Sequence, residues 1–136
     1  MIRINGSIYI FKQDNVTIRG RGILDTSRFK RGDEYSLDEH PRSTLKKLGL
    51  TEKEANEFII YWLPQMEQND YNLISFKSSI YTESAKLSIT PTPDTLIRVF
   101  MAWKRADAPV DIPPQQLTAP QRSGFTLVEW GGTQVD

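Results

Sequence analysis

The sequence predicts an α+β fold: a short helical hairpin packed on a mainly antiparallel β-sheet or small sandwich, preceded by a strand-rich N-terminal segment. Three observations carry this reading. Short runs of alternating apolar and polar residues, broken by glycines, fill the N-terminal stretch. A capped amphipathic segment, TEKEANEFIIYWLPQM, lies in the middle, and strand-like runs return after it. The boundary falls between Ser36 and Pro41, giving a strand-rich basic segment over residues 1–38, read as an appendage or fragment, and an α+β module over 39–136.

In the first segment, Ile8 and Ile10, Val16 and Ile18, then Ile23 and Leu24 mark strands of four or five residues, punctuated by Gln13-Asp14-Asn15, Gly20 and Gly22. A hairpin of Ser7 to Phe11 with Asn15 to Arg19 is the economical arrangement, and the polar stretch from Ser27 to Tyr35 reads as a loop. Asp38 can cap a short helix over Glu39 to Leu48, in which Pro41 is tolerated in the first turn and Gly49 supplies the stop. Thr51 and Glu54 then form a capping box, with Leu50 placed to staple the entry. From there Ala55, Phe58, Ile59, Trp62, Leu63 and Met66 recur at three- and four-residue spacing and define a core-facing stripe. Pro64 removes an N–H and crowds the Ile60 carbonyl, so a kink or stop is expected there.

Tyr71 to Phe76 reads as a strand, and Ala85, Leu87 and Ile89 alternate with polar residues in a half-buried one. Thr95 to Trp103 is apolar on both faces, the mark of a central strand. Ala108 to Pro120 holds four prolines and reads as an extended crossing segment. Phe125 to Trp130 is the closing strand, with Gly131-Gly132 as its end.

Composition narrows the chemistry. The 17 basic and 17 acidic side chains cancel, but Met1 to Leu50 carries ten against six and Thr51 to Asp136 seven against eleven. The two halves can therefore attract each other or different partners. Cysteine is absent, which removes disulfides, thiolate catalysis and every cysteine-containing zinc pattern. No apolar run approaches the roughly 18 residues of a membrane span, and none makes a signal-peptide core, so a role outside the cell implies a fragment or a module of a longer precursor.

Two resemblances add to this. The motifs KLGLTEKEANEFIIYWLPQMEQNDYNLISF, ITPTPDTLIRVFMAWK and GFTLVEWGG, in that order from about Thr44 to the end, resemble an uncharacterised module of large bacterial secreted or cell-surface proteins. It covers roughly two thirds of the chain. The resemblance implies an extracellular or cell-envelope setting and no defined catalytic residues; the lack of cysteine fits the cytosol as well. Separately, DNVTIRGRGILDTSRF, Asp14 to Phe29, looks like one rung of the right-handed parallel β-helix of polysaccharide hydrolases. Such a helix needs about three stacked coils to bury a core, and this chain offers one or two.

No catalytic set emerges. Asp25 and Asp33 are the carboxylates a glycosidase reading would use, but as loop aspartates beside glycine and arginine they read better as turn residues. His40, the single histidine, has no ordered nucleophile to serve. One histidine and no cysteine leave no metal pattern, the Gly20-Arg21-Gly22 run lacks a phosphate-loop context, and no cofactor is implied. Arg19, Arg21, Arg28, Lys30 and Arg31, with Phe29 between them, form the candidate polyanion-binding patch; the balanced total charge and the lack of a recognition motif weigh against nucleic acid. Among the aromatics, Tyr61 lies off the helical stripe and Trp103 sits at a strand end beside Lys104 and Arg105, making these two the candidate ligand contacts. The expected function is a non-catalytic interaction module with a protein or glycan partner. A fragment of a carbohydrate-active β-helix enzyme is the alternative, and polyanion binding comes third.

Overall fold

The computed structural model describes residues 9–13, 16–22, 35–36, 41–110 and 115–135. Asp25, Arg28, Phe29, Lys30, Arg31, Asp33, Asp38 and His40 lie outside them. The fold is α+β, with a helical hairpin packed on a sheet.

The N-terminal hairpin joins β1 (Tyr9–Gln13) to β2 (Val16–Gly22), with Tyr9 opposite Gly20 and Gln13 opposite Val16. The far edge of β2 pairs antiparallel with a strand of the C-terminal half, β5 (Ala85–Thr90), from Thr17 opposite Thr90 to Gly22 opposite Ala85. A short β3 (Tyr35–Ser36) pairs with β4 (Tyr71–Phe76). The first 38 residues thus contribute strands to both sheets, satisfying main-chain groups that β4 and β5 would otherwise leave at open edges.

Two helices follow β3. Helix α1 (Pro41–Lys47) closes with Gly49 N–H donating to the Lys46 carbonyl, 2.9 Å, and Leu50 N–H to the Leu45 carbonyl, 3.1 Å. Gly49 takes φ +99°, which a side chain rarely adopts. Helix α2 (Glu52–Met66) carries the expected capping box: Thr51 N–H donates to Glu54 Oε2, 2.8 Å, and Glu54 N–H to Thr51 Oγ1, 3.3 Å. Ala55, Phe58, Trp62 and Met66 form its buried face.

Of the kink or stop expected at Pro64 the stop does not occur, and one residue of the expected stripe lies outside it. The helix runs through Pro64 without stopping, and Glu67 N–H still donates to the Leu63 carbonyl, 2.8 Å. The carbonyl deprived of its donor belongs to Ile60, whose residue lies on the solvent side at 73% exposure, so it sits where water can replace the lost bond. Leu63 leaves the stripe as well, at 49% exposure, because the seam that meets the sheet is narrower than the spacing suggested.

The larger sheet has the order β3-β4-β6-β7, with β6 (Thr95–Ala106) central and β7 (Thr126–Gln134) at one edge. β4 runs antiparallel to β6, and β7 runs parallel to it. On one face of β6, Ile97, Val99, Met101 and Trp103 meet Leu45, Leu48, Leu50, Phe58, Trp62 and Met66 in the main core. On the other, Phe100 packs with Tyr81 and Ala85. Tyr81 belongs to α3 (Ser78–Ser84), a helix the sequence reading did not anticipate. Gly131 and Gly132 do not end β7; they lie within it, opposite Phe100 and Met101.

Candidate functional site: a buried polar set and a helix face

A strongly polar cluster is buried on the α3 face of the larger sheet. Arg98 of β6 and Glu129 of β7 are direct neighbours in the parallel register. Successive residues alternate faces, so both side chains project to the same side. There Arg98 Nε donates to Glu129 Oε2, 2.6 Å, with the two side chains 4% and 6% exposed. Tyr81, fully buried, donates its hydroxyl to Glu129 Oε1. The guanidinium carbon lies 4.3 Å from the centre of the Tyr81 ring, a cation–π contact in a site without bulk water. Phe100 closes the other side of that ring, 4.6 Å between centroids.

Each partner here answers a need of another. The carboxylate cancels the guanidinium charge, which alone would be costly to bury. Burial, reinforced by the adjacent Glu129, raises the Tyr81 pKa above its ordinary value and keeps the phenol a hydrogen-bond donor. A phenol held protonated and a carboxylate engaged on both oxygens make a cross-brace between β6, β7 and α3. Arg98 Nη2 is the exception: it is buried and has no hydrogen-bond partner, as are Asn56 Oδ1, Trp62 Nε1 and Trp103 Nε1 elsewhere.

The sequence carried a signal for this set, since Arg98 interrupts the apolar run LIRVFMAW and Glu129 the run LVEW. A charge at an inward position of a central strand calls for a buried partner. Neither residue was singled out as a site candidate.

A cavity of about 220 Å³ adjoins Arg98, lined by Leu48, Thr82, Leu96, Ile97, Arg98, Thr118 and Pro120. A second ion pair ties the helical hairpin to the segment leading into β7. Arg122 donates from Nε and Nη2 to the Gly49 carbonyl, 3.1 and 2.8 Å, and from both terminal nitrogens to the Glu54 carboxylate. Partial burial works against ionisation of Glu54, but Arg122 and the Thr51 N–H outweigh it and hold the carboxyl below its usual range.

Of the candidate contacts, Tyr61 is 38% exposed and stacks edge-on against Trp62, 4.9 Å, with Trp130 5.7 Å away. Trp103 is the correction: at 3% exposure, opposite Ile74 of β4, it is a core residue and offers no ring to a ligand. The polar neighbours Lys104 and Arg105 misled, because β6 runs on to Ala106 and keeps Trp103 inside the sheet. Arg19 and Arg21 fall on β2, opposite Ser88 and Lys86 of β5, whereas Arg28, Lys30 and Arg31 lie outside the described residues. Among the described residues no helix is long and apolar enough to cross a membrane, and no group of three His, Asp or Glu side chains could hold a metal ion.

No protein-family model matches the chain, and no match was found among the curated proteins or the solved structures.

Proposed function

We propose that the chain is a non-catalytic interaction module, part of a bacterial exported or cell-surface protein, and that it meets a protein partner through the outer face of α2. The observation that carries this reading is the cluster of apolar side chains on the C-terminal half of that helix. Ile60 is 73% exposed, Leu63 49% and Tyr61 38%, with Pro64 exposed beside them. Three- and four-residue spacing places Ile60, Leu63 and Pro64 on one stripe, where a surface helix ordinarily presents charge. Scattered apolar residues on a surface mean little, but neighbours on a single stripe mark contact sites. The Tyr61 ring, braced by two tryptophans, gives the patch a preset edge.

The test places a photo-activated cross-linker at Ile60, and in a control at Lys86 on β5, within cells that make the protein. The reading requires a discrete adduct from position 60 that disappears when Leu63→Glu is added and the melting curve is unchanged. Equal labelling from both positions overturns it, as does turnover of pectic or dextran substrates by the purified chain.

A further inference from the structure

The larger sheet is incomplete along one side of its central strand. β4 pairs with β6 only over Met101 to Ala106, and its last residue, Phe76, lies opposite Met101. Beyond it Lys77 N–H donates to the Phe100 carbonyl, 2.9 Å, and the chain turns away into α3. The Phe100 carbonyl therefore points away from β7. Main-chain groups alternate sides along a strand, so those of Arg98 and Leu96 point the same way as Phe100, while Ile97 and Val99 face β7. Neither the Leu96 nor the Arg98 main chain has a hydrogen-bond partner among the described residues. Among the described residues, two N–H and two C=O groups are thus left unpaired on the edge of a central strand, a place where proteins normally cover or pair them.

The same two residues line the 220 Å³ cavity, whose far walls are Leu48 at the end of α1, Thr82 on α3, and Thr118 with Pro120 from the crossing segment. Leu96 is 38% exposed there. Arg98 contributes the second observation. Its side chain is 4% exposed, yet Nη2 has no acceptor. An unmade hydrogen bond of this kind is costly, and an acceptor brought into the cleft would supply it. Because Glu129 already balances the Arg98 charge, a full anion would leave a net negative charge in a dry place. A neutral carbonyl meets the need without that penalty.

We propose that this cleft is a peptide-binding site, in which an extended segment of another polypeptide adds to β6 as a short strand. Its main chain pairs with Leu96 and Arg98, one of its carbonyls accepts from Arg98 Nη2, and one apolar side chain enters the space between Leu48, Ile97 and Pro120. Strand addition draws affinity from main-chain bonds and selectivity from pockets for alternate side chains, and the cleft offers both. The site is separate from the α2 face and does not rest on the function proposed for it.

The experiment titrates the ¹⁵N-labelled protein with acetyl-Thr-Val-Thr-Val-Thr-amide, and with the same peptide N-methylated at alternate residues so that either edge of its strand can be blocked. Amide shifts should concentrate at Leu96, Arg98, Thr82 and Thr118. Blocking the pairing edge should weaken binding by about tenfold or more, the loss expected for main-chain hydrogen bonds. Leu96→Pro, which deletes one edge N–H and leaves the β7 ladder intact, should weaken binding similarly without altering the melting curve. Leu63→Glu should leave binding unchanged, which separates this site from the α2 face. The proposal is overturned by equal binding of the methylated peptides, by shifts confined to α2, or by slow hydrogen exchange of the Leu96 and Arg98 amides in the free protein.

Discussion

The Trp62 indole occupies the space that a side chain on residue 132 would need. A Cβ added to Gly132 would stand 2.7 Å from Trp62 Cζ2 and 2.8 Å from the Met101 carbonyl oxygen, closer than real Cβ atoms come. The helix lies tight on the sheet because the strand has no side chain beneath the largest ring of the helix.

It follows that Gly132→Ala should destabilise the protein by about 1–3 kcal/mol, the usual range for overpacking. Gly131→Ala should be tolerated far better, since its added Cβ would meet Phe100 at an ordinary 3.7 Å. Urea titrations of the two variants, at matched m-values, make the comparison. Equal midpoints would show that α2 can lift away from β7 at no cost.

Removing one member of the buried ion pair should be worse than removing both. Glu129→Gln leaves the Arg98 charge without compensation and should cost about 3–5 kcal/mol. The double change Arg98→Met with Glu129→Leu, made in a Tyr81→Phe background so that no buried phenol loses its acceptor, should recover much of that loss, because apolar side chains of similar bulk need no partner. A double-mutant cycle decides the matter; strictly additive losses would mean that the two residues do not interact.

Alkaline pH should act through Tyr81. Its folded pKa lies above the ordinary 10.0, so the stability it contributes is complete below that value. That contribution declines as the pH rises beyond it, where the unfolded chain ionises and the folded one does not. Tyr81→Phe should be less stable at neutral pH, having lost the bond to Glu129. Its stability should also fall less steeply above pH 10.0. Parallel curves for the two proteins would place the phenol outside the linkage.

On the acid side the relevant group is Glu54. Its folded pKa is lowered, so its contribution is present above the ordinary 4.5 and is lost as the pH falls below it. Thr51→Ala should cost about 1 kcal/mol at neutral pH through the lost cap. Arg122→Met should flatten the acid dependence, which equilibrium unfolding at a series of pH values would reveal.

A chain starting at residue 37 should melt at a lower temperature and self-associate. Without β2, the strand from Ala85 to Thr90 presents an unpaired edge. Analytical ultracentrifugation together with calorimetry tests this. An unchanged, monomeric transition would restore the N-terminal stretch to the appendage that its sequence suggested.

What could be read in advance was what short-range chemistry determines. The Thr51–Glu54 box, the Gly49 stop and the two-faced burial of β6 follow from spacing within a few residues, and all are present. Misreadings arose where distant chain decides a residue's surroundings. The Gly131-Gly132 pair looks like a terminator locally, and only the approach of Trp62 explains it as part of a strand. Trp103 looked exposed beside charged neighbours until β4 was laid against it. α3 escaped notice because SSIYTES is too short to show a period, and its reason for being helical is the burial of Tyr81. The pairing of Arg98 with Glu129 depends on a parallel register between strands far apart in the chain.

That parallel register also bears on the order in which the molecule assembles. α1 and α2 meet across a turn of four residues, Leu48 to Thr51, and need little chain closure. β6 and β7 align in the same direction only after the intervening 19 residues, 107 to 125, have crossed the whole length of the strand. Contacts separated by such loops carry their entropic cost before they return any stability. Loop-closure entropy therefore favours the helical hairpin as the earlier element to form and β7 as the later one. Without β7 docked, Arg98 lacks the carboxylate of Glu129 and Trp62 lacks the glycine strand it lies against, so both buried groups depend on a strand whose docking carries that loop-closure cost.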